Sequence, residues 1–214
     1  MLNRTLNALV DALLPKRCAG CDCPSPTGPM CVPCSGSLVP GDEGACPHCG
    51  VQDLERTSDT PIGRCGSCLN DPPSFLRARS AYAYGGALSE AIRRWKNKPE
   101  PTLTPSLCAL MRSRPWIDWP HGRPTIVTIV PPDSRRLRRR GFHPAGLLGR
   151  SLSEHLNVPL APLSIRATSS YPTSRGQGRS QRDQRLRGVF TVDQAAVRGE
   201  RLLLVDDVMT TGAT

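Results

Sequence analysis

The sequence predicts a chain in two parts: a small cysteine-rich module held together by metal, then an α/β domain with a mostly parallel sheet flanked by helices. Three observations predict it. Eight of the ten cysteines fall into four CxxC pairs between residues 18 and 68. Past Pro72-Pro73, uncharged β-branched or leucine-rich runs alternate with apolar residues at helical spacing. The last such run opens directly onto two acids and a Thr/Gly string, Asp206 to Thr214. The modules are placed at 1–72 and 73–214.

Composition bounds what these parts can be. The 22 prolines and 19 glycines suit short elements joined by many turns, and the 38% hydrophobic content still allows a packed core. A net charge of +10 favours polyanionic partners, from nucleic acid to phosphorylated small molecules. The excess is local: Ser134 to Arg187 holds twelve arginines against Glu154 and Asp183.

Met1–Leu14 carries Leu2, Leu6, Leu9, Val10, Leu13 and Leu14 at helical spacing. With Asp11 inside, Pro15-Lys16-Arg17 after it and no small-residue cleavage site, it reads as an amphipathic helix rather than a signal peptide. No stretch is apolar enough to span a bilayer, and a cytoplasmic protein is expected.

Next come Cys18/Cys21, Cys31/Cys34, Cys46/Cys49 and Cys65/Cys68. A CxxC turn presents two thiolates on one side of a tight loop, half of a tetrahedral site. Four such knuckles supply two all-cysteine zinc sites. Nothing indicates export, which disfavours disulfides. A redox CxxC normally occurs once, and the tight cysteine runs of ferredoxins are missing. Sequential pairing (18/21 with 31/34, 46/49 with 65/68) and a crossed pairing both stay open. Four thiolates leave no open position, so the sites read as structural and supply most of this module's folding energy. Cys23, Cys108 and His48 are taken as non-ligands.

In the second part, Leu76–Tyr84 alternates as a strand, broken by Gly85-Gly86. Ala87–Lys96 reads as a helix with Leu88, Ala91, Ile92 and Trp95 inward, and Pro105–Met111 as another with Thr104 as cap. Residues 116–124 are loop-like. Thr125–Val130 is a buried strand halted by Pro131-Pro132, Pro144–His155 a helix, and Leu202–Val205 a second buried strand. In such sheets ligands sit beyond the carboxyl ends of the strands, where the loops after Val130 and Val205 both lie.

Asp206 and Asp207 suit ribose hydroxyls and a magnesium ion. Thr210, Thr211, Gly212, Ala213 and Thr214 offer hydroxyls and successive backbone N–H groups, as phosphate loops do. Each residue alone fits an ordinary strand–turn junction; the whole string is far more specific.

That string resembles the signature of type I phosphoribosyltransferases. The resemblance implies that Asp206 and Asp207 hold the ribose hydroxyls of 5-phosphoribosyl-1-pyrophosphate, directly or through magnesium, while Thr210 to Thr214 bind its 5-phosphate. Pro131, Pro132, Asp133, Ser134 and Arg135 look like the pyrophosphate loop, and Arg166–Arg187 like a flap that closes over the site. Together with the cysteine knuckles, Pro15-Lys16-Arg17-Cys18, Arg139-Arg140-Gly141-Phe142 and Val189-Phe190, it resembles the ComF (competence protein F) family over nearly the whole chain. That family is associated with uptake of transforming DNA, which implies DNA-uptake proteins and single-stranded DNA as partners.

The chain departs from that pattern at His143-Pro144, where an Asn-Gln is usual, and at Arg185, where an Asn is usual. The pattern also implies a further helix and strand beyond Thr214. No general base stands out; His143 and His155 qualify by residue type only. A second reading is a non-catalytic nucleic-acid-binding factor, with Arg135, Arg136, Arg138, Arg139 and Arg140 tracking a phosphate backbone. Few aromatics lie near this cluster besides Phe142, which argues against base stacking.

Overall fold

A computed structural model describes residues 17–52, 63–97, 100–114, 119, 122–168, 186 and 188–209. The expected helix at Met1–Leu14, most of the Arg-rich flap and Thr210 to Thr214 lie outside the described residues, as does much of the loop expected at 116–124.

The cysteine module is two copies of one small design. Cys18 N–H donates to the Cys23 carbonyl (2.7 Å) and Asp22 N–H to the Cys18 carbonyl (2.9 Å). Cys46 N–H donates to Val51 (2.8 Å) and Gly50 N–H to Cys46 (3.0 Å), the same pattern 28 positions on. Both turns need a left-handed residue four places after the first cysteine: Asp22 at φ 65° and Gly50 at φ 69°. The second CxxC of each copy opens a short helix, α1 (Val32–Gly36) after Cys31 and α2 (Gly66–Asn70) after Cys65.

Leu76–Tyr84 is not the regular strand expected. It runs extended beside the knuckles: Ala78 N–H donates to His48 (2.8 Å), Gly41 N–H to Ala81 (3.1 Å) and Ala83 N–H to Val39 (2.9 Å). Tyr82 forms only an isolated bridge, to Pro40. The two flanking bonds, from Gly41 and Ala83, make that bridge, and no second bridge adjoins it among the described residues.

Helix α3 (Gly86–Asn97) buries Leu88, Ala91, Ile92 and Trp95, the face expected. A 3₁₀ turn, Pro101–Leu103, leads into α4 (Thr104–Arg112). Thr104 is not the cap expected: Leu103 holds that position, and the Thr104 hydroxyl accepts from the Trp95 indole N–H (3.0 Å). Strand β1 (Ile126–Ile129) is central. Its Val127 bridges in parallel to Leu160 on one side, and β4 (Leu202–Val205) pairs in parallel on the other, Ile129 opposite Val205. Thr128 is fully buried and satisfied by Ala161 O (3.1 Å) and the Ser164 hydroxyl (2.7 Å).

Between the parallel strands lie α5 (Ser134–Arg140) and α6 (Pro144–Leu156). Asp133 caps α5 by accepting from Arg136 N–H (2.9 Å), and Gly141 ends it at φ 79°. A short antiparallel pair, β2 (Ile165–Ala167) with β3 (Phe190–Val192), frames the base of the expected flap. A last turn, α7 (Gln194–Val197), is capped by Asp193. The result is a mixed α/β fold with a parallel pair and helices, beside the cysteine-rich module.

One buried cluster joins α3, α4, α6, β1 and β4, and it includes Cys18, Ala19 and Met30 of the first knuckle pair. Cys108 sits in this core on α4, as a non-ligand should. Helix α6 lies so close on β1 that a Cβ at Gly149 would meet Ile129 Cγ2 at 2.5 Å. Gly149→Ala, which in an open helix gains about 1 kcal/mol, should instead destabilise the chain by about 1–3 kcal/mol. A urea midpoint unchanged or raised relative to wild type would show that the helix can move off the strand.

Candidate functional site

Two sets of thiols assemble: Cys18, Cys21, Cys31 and Cys34, and separately Cys46, Cys49, Cys65 and Cys68. The pairing is sequential, which excludes the crossed alternative. Within each set all four sulfurs lie within 4.8 Å of one another. Cys21 and Cys31 Sγ are 3.6 Å apart, as are Cys49 and Cys65 Sγ. A disulfide needs about 2.05 Å. A zinc tetrahedron with Zn–S of about 2.3 Å has an edge of about 3.8 Å. All ten cysteines are free thiols, so both quartets fit zinc in donor type, number and spacing.

The first cysteine of each quartet is prepared as a thiolate. Burial raises the Cys18 thiol, but the N–H groups of Cys21, Cys31 and Gly20 outweigh it and bring it down to about 6. Burial likewise opposes Cys46, and donors including the Cys65 N–H, 3.3 Å from its sulfur, bring it down to about 6. Burial pushes the Cys68 thiol up to about 12, so that deprotonation there needs the metal's charge. His48 is no ligand: its Nε2 bonds the Phe75 carbonyl (2.7 Å) and its ring packs edge-on against Phe75.

The second assembly lies at the carboxyl end of the parallel pair. Val130 N–H donates to Val205 O (3.0 Å), so the turn at Pro131-Pro132-Asp133 and the acids Asp206-Asp207 leave neighbouring strands at one edge. Asp133 is buried and spent on capping α5, while Ser134 and Arg135 are exposed.

Around the acids the structure gathers groups from three elements. Lys96, at the end of α3, puts Nζ 2.6 Å from Asp207 Oδ1. Arg140, at the end of α5, donates from Nε to the Lys96 carbonyl (2.9 Å) and feels the Asp207 charge. It is therefore turned into the site, unlike Arg135, Arg138 and Arg139, which stay exposed on α5. His143, at the start of α6, is held below its ordinary range by burial, against the pull of Asp207. His155 sits at the far end of α6, whose Leu156 carbonyl accepts from Arg123 ahead of β1, so it belongs to the opposite edge of the sheet.

Asp206 accepts from Asp207 N–H (2.8 Å). Desolvation by the surrounding protein, with the Asp207 charge, pushes its carboxyl up to about 6, although its open surface moderates the rise. As donors, two adjacent carboxylates fit a hard cation such as magnesium, but Asp207 already holds an ammonium. The sequence reading missed Lys96, a single lysine in a basic helix end; only the fold places it on Asp207.

The chain is similar to the DNA utilization protein YhgH of Escherichia coli K12, 29% identical over 192 residues, covering 86% of this chain and 80% of that protein. Competence protein F of Haemophilus influenzae is 28% identical over 203 residues, 86% of each chain. Competence protein ComFC of Bacillus subtilis is 25% identical over 193 residues, 88% of this chain and 75% of that protein. No family model and no solved structure matches the chain. No helix among the described residues is long and apolar enough to cross a membrane.

Two predictions follow from this geometry. Purified chain should carry about two zinc ions, falling to about one in Cys21→Ser or Cys65→Ser. Only the first should lower the melting temperature of the α/β part, because only its quartet lies in the main core. Equal melting of the two variants would refute that asymmetry. The second prediction concerns Asp206. Its raised pKa means that its neutral form favours folding below the ordinary 3.8, an advantage lost as pH rises through about 6. Asp206→Asn should therefore melt higher than wild type above that pH, with the gap closing near pH 4. A gap that ignores pH would show that Asp206 titrates normally.

Proposed function

We propose that this homologue of competence protein F acts in DNA uptake and utilisation by binding 5-phosphoribosyl-1-pyrophosphate, with a phosphoribosyltransferase domain (73–214) behind a zinc-stapled module (1–72). The observation that carries the reading is the convergence of Asp206-Asp207, the turn after β1 and two inward cations at one edge of a parallel pair. The names of its relatives, competence protein and DNA utilization protein, support the wider role.

In this reading Asp206 and Asp207 accept from the ribose hydroxyls, and Thr210 to Thr214 take the 5-phosphate. Pro132, Asp133, Ser134 and Arg135 form the turn beside the pyrophosphate, and the flap at 166–187 closes over it. Magnesium bound with the ligand would supply further positive charge to the departing pyrophosphate, with Asp206 the acid open to it. Preorganised cations lower the cost of charge developing on the leaving group while an acceptor attacks the anomeric carbon. Among the described residues, His143 is an imidazole close enough to feel the Asp207 charge, while burial holds it below its ordinary range.

The relatives' names and the exposed Arg135, Arg138 and Arg139 favour a second reading, in which the fold serves a nucleic-acid-binding factor. One calorimetric comparison separates them. Wild type should bind phosphoribosyl pyrophosphate with magnesium, and the Asp206→Asn, Asp207→Asn double variant should lose at least about tenfold in affinity, since each charged hydrogen bond is worth about 1.5–3 kcal/mol. Equal binding by the double variant overturns the pocket. Salt-sensitive binding of single-stranded DNA, lost when Arg135, Arg138 and Arg139 become Ala, would favour the second reading.

A further inference from the structure

The ion pair between Lys96 and Asp207 is placed where a ligand would enter. Its N···O distance is 2.6 Å, with the side chains 23% and 15% exposed. Such a pair loses solvation that its attraction barely repays, so sheet packing alone gives no reason to hold it at an open strand edge. The lysine is held from behind. Arg140 fixes its carbonyl, and the preceding Trp95 is pinned by the Thr104 hydroxyl and by the Phe142 ring, 5.5 Å between centroids.

We propose that Lys96 is a ligand-binding residue of this site: its ammonium rests on Asp207 while the site is empty and meets a phosphate oxygen of the sugar diphosphate when the ribose hydroxyls take the acids. This rests on the reading above. An ammonium has three donors, and Asp207 uses one, so the others reach a phosphate without breaking the pair. Charge points the same way. Asp206 and Asp207 alone would repel an anion, whereas Lys96, paired with Asp207, and Arg140, which feels its charge, offset both acids. Lys96 thus does part of the work that a divalent cation would otherwise do, and binding should survive removal of the cation better than two bare acids would permit.

The test is calorimetric titration of the 214-residue chain with phosphoribosyl pyrophosphate, with magnesium and in magnesium-free, chelator-free buffer that leaves the structural zinc in place, for wild type, Lys96→Met and Lys96→Arg. Wild type should bind in both buffers. Lys96→Met should lose at least about tenfold without magnesium, the worth of one charged hydrogen bond, and distinctly less in magnesium. Lys96→Arg should recover most of the loss, which a role in folding alone would not predict, and zinc content should match wild type in both variants. Undiminished binding by Lys96→Met overturns the proposal and leaves the pocket standing. Tighter binding also overturns it, because Lys96 would then be a plug. Wild type that binds in neither buffer overturns the pocket reading and this inference together.

Discussion

Helix α3 and the first thiolate quartet lock together, and the rest of the structure is built around that contact. Cys18 and Ala19 are fully buried against the helix, and a Cβ at Gly20 would come within 2.8 Å of Ala87 Cβ. Arg94 closes the joint from the helix side, reaching the Ala19 carbonyl (3.4 Å), Asp22 (3.3 Å) and Glu100 (2.5 Å). The Arg17 and Arg94 guanidiniums in turn hold the Asp22 carboxyl below its usual range. The metal-bound loop would therefore set the axis of α3, and α3 carries Lys96 to the acids at its other end. The first thiolate quartet and the Lys96–Asp207 pair thus meet on one twelve-residue rod.

The acid edge is electrostatically unfinished by itself. Two carboxylates leave β4 side by side just after its buried Val205, and the fold answers with cations from helices that are distant in sequence. Both Lys96 and Arg140 stand in the last turn of a helix, where the carbonyl end of the dipole already favours positive charge. The dipoles hold the cations in place without spending them. A partly desolvated surround then makes each remaining charge count for more than it would on an open surface.

Much of this was legible in the sequence where one physical signal dominated. The inward face of α3 was read residue for residue, because four apolar side chains at helical spacing admit little else. The place of strand β4 and the shared edge were equally plain, since an uncharged run ending in two acids has one sensible orientation. The strand's expected burial was not met, because Leu202 and Leu204 stay exposed and only Val205 is buried. The segment 76–84 was misread as a strand because alternation shows that a chain is extended, not whether a partner runs alongside it for more than one bridge. Lys96 was invisible for another reason. Its significance is a distance across 111 positions of sequence, and nothing within its own helix distinguishes it from Arg93 or Arg94.

The knuckle pairing lies between these extremes, and it explains why two copies of one motif play unequal parts. Spacing alone allowed sequential or crossed quartets; the repeated turn and short helix made the sequential arrangement geometrically self-contained. Once self-contained, each copy needs only one surface to rest on. The first rests on α3 and joins the main core, while the second forms its own cluster with Phe75 and reaches the domain through the extended segment after it. A duplication that started symmetric would thus become divided by what each copy packs against, one quartet coupled to the acid edge through α3 and the other bracing the chain that leads into it.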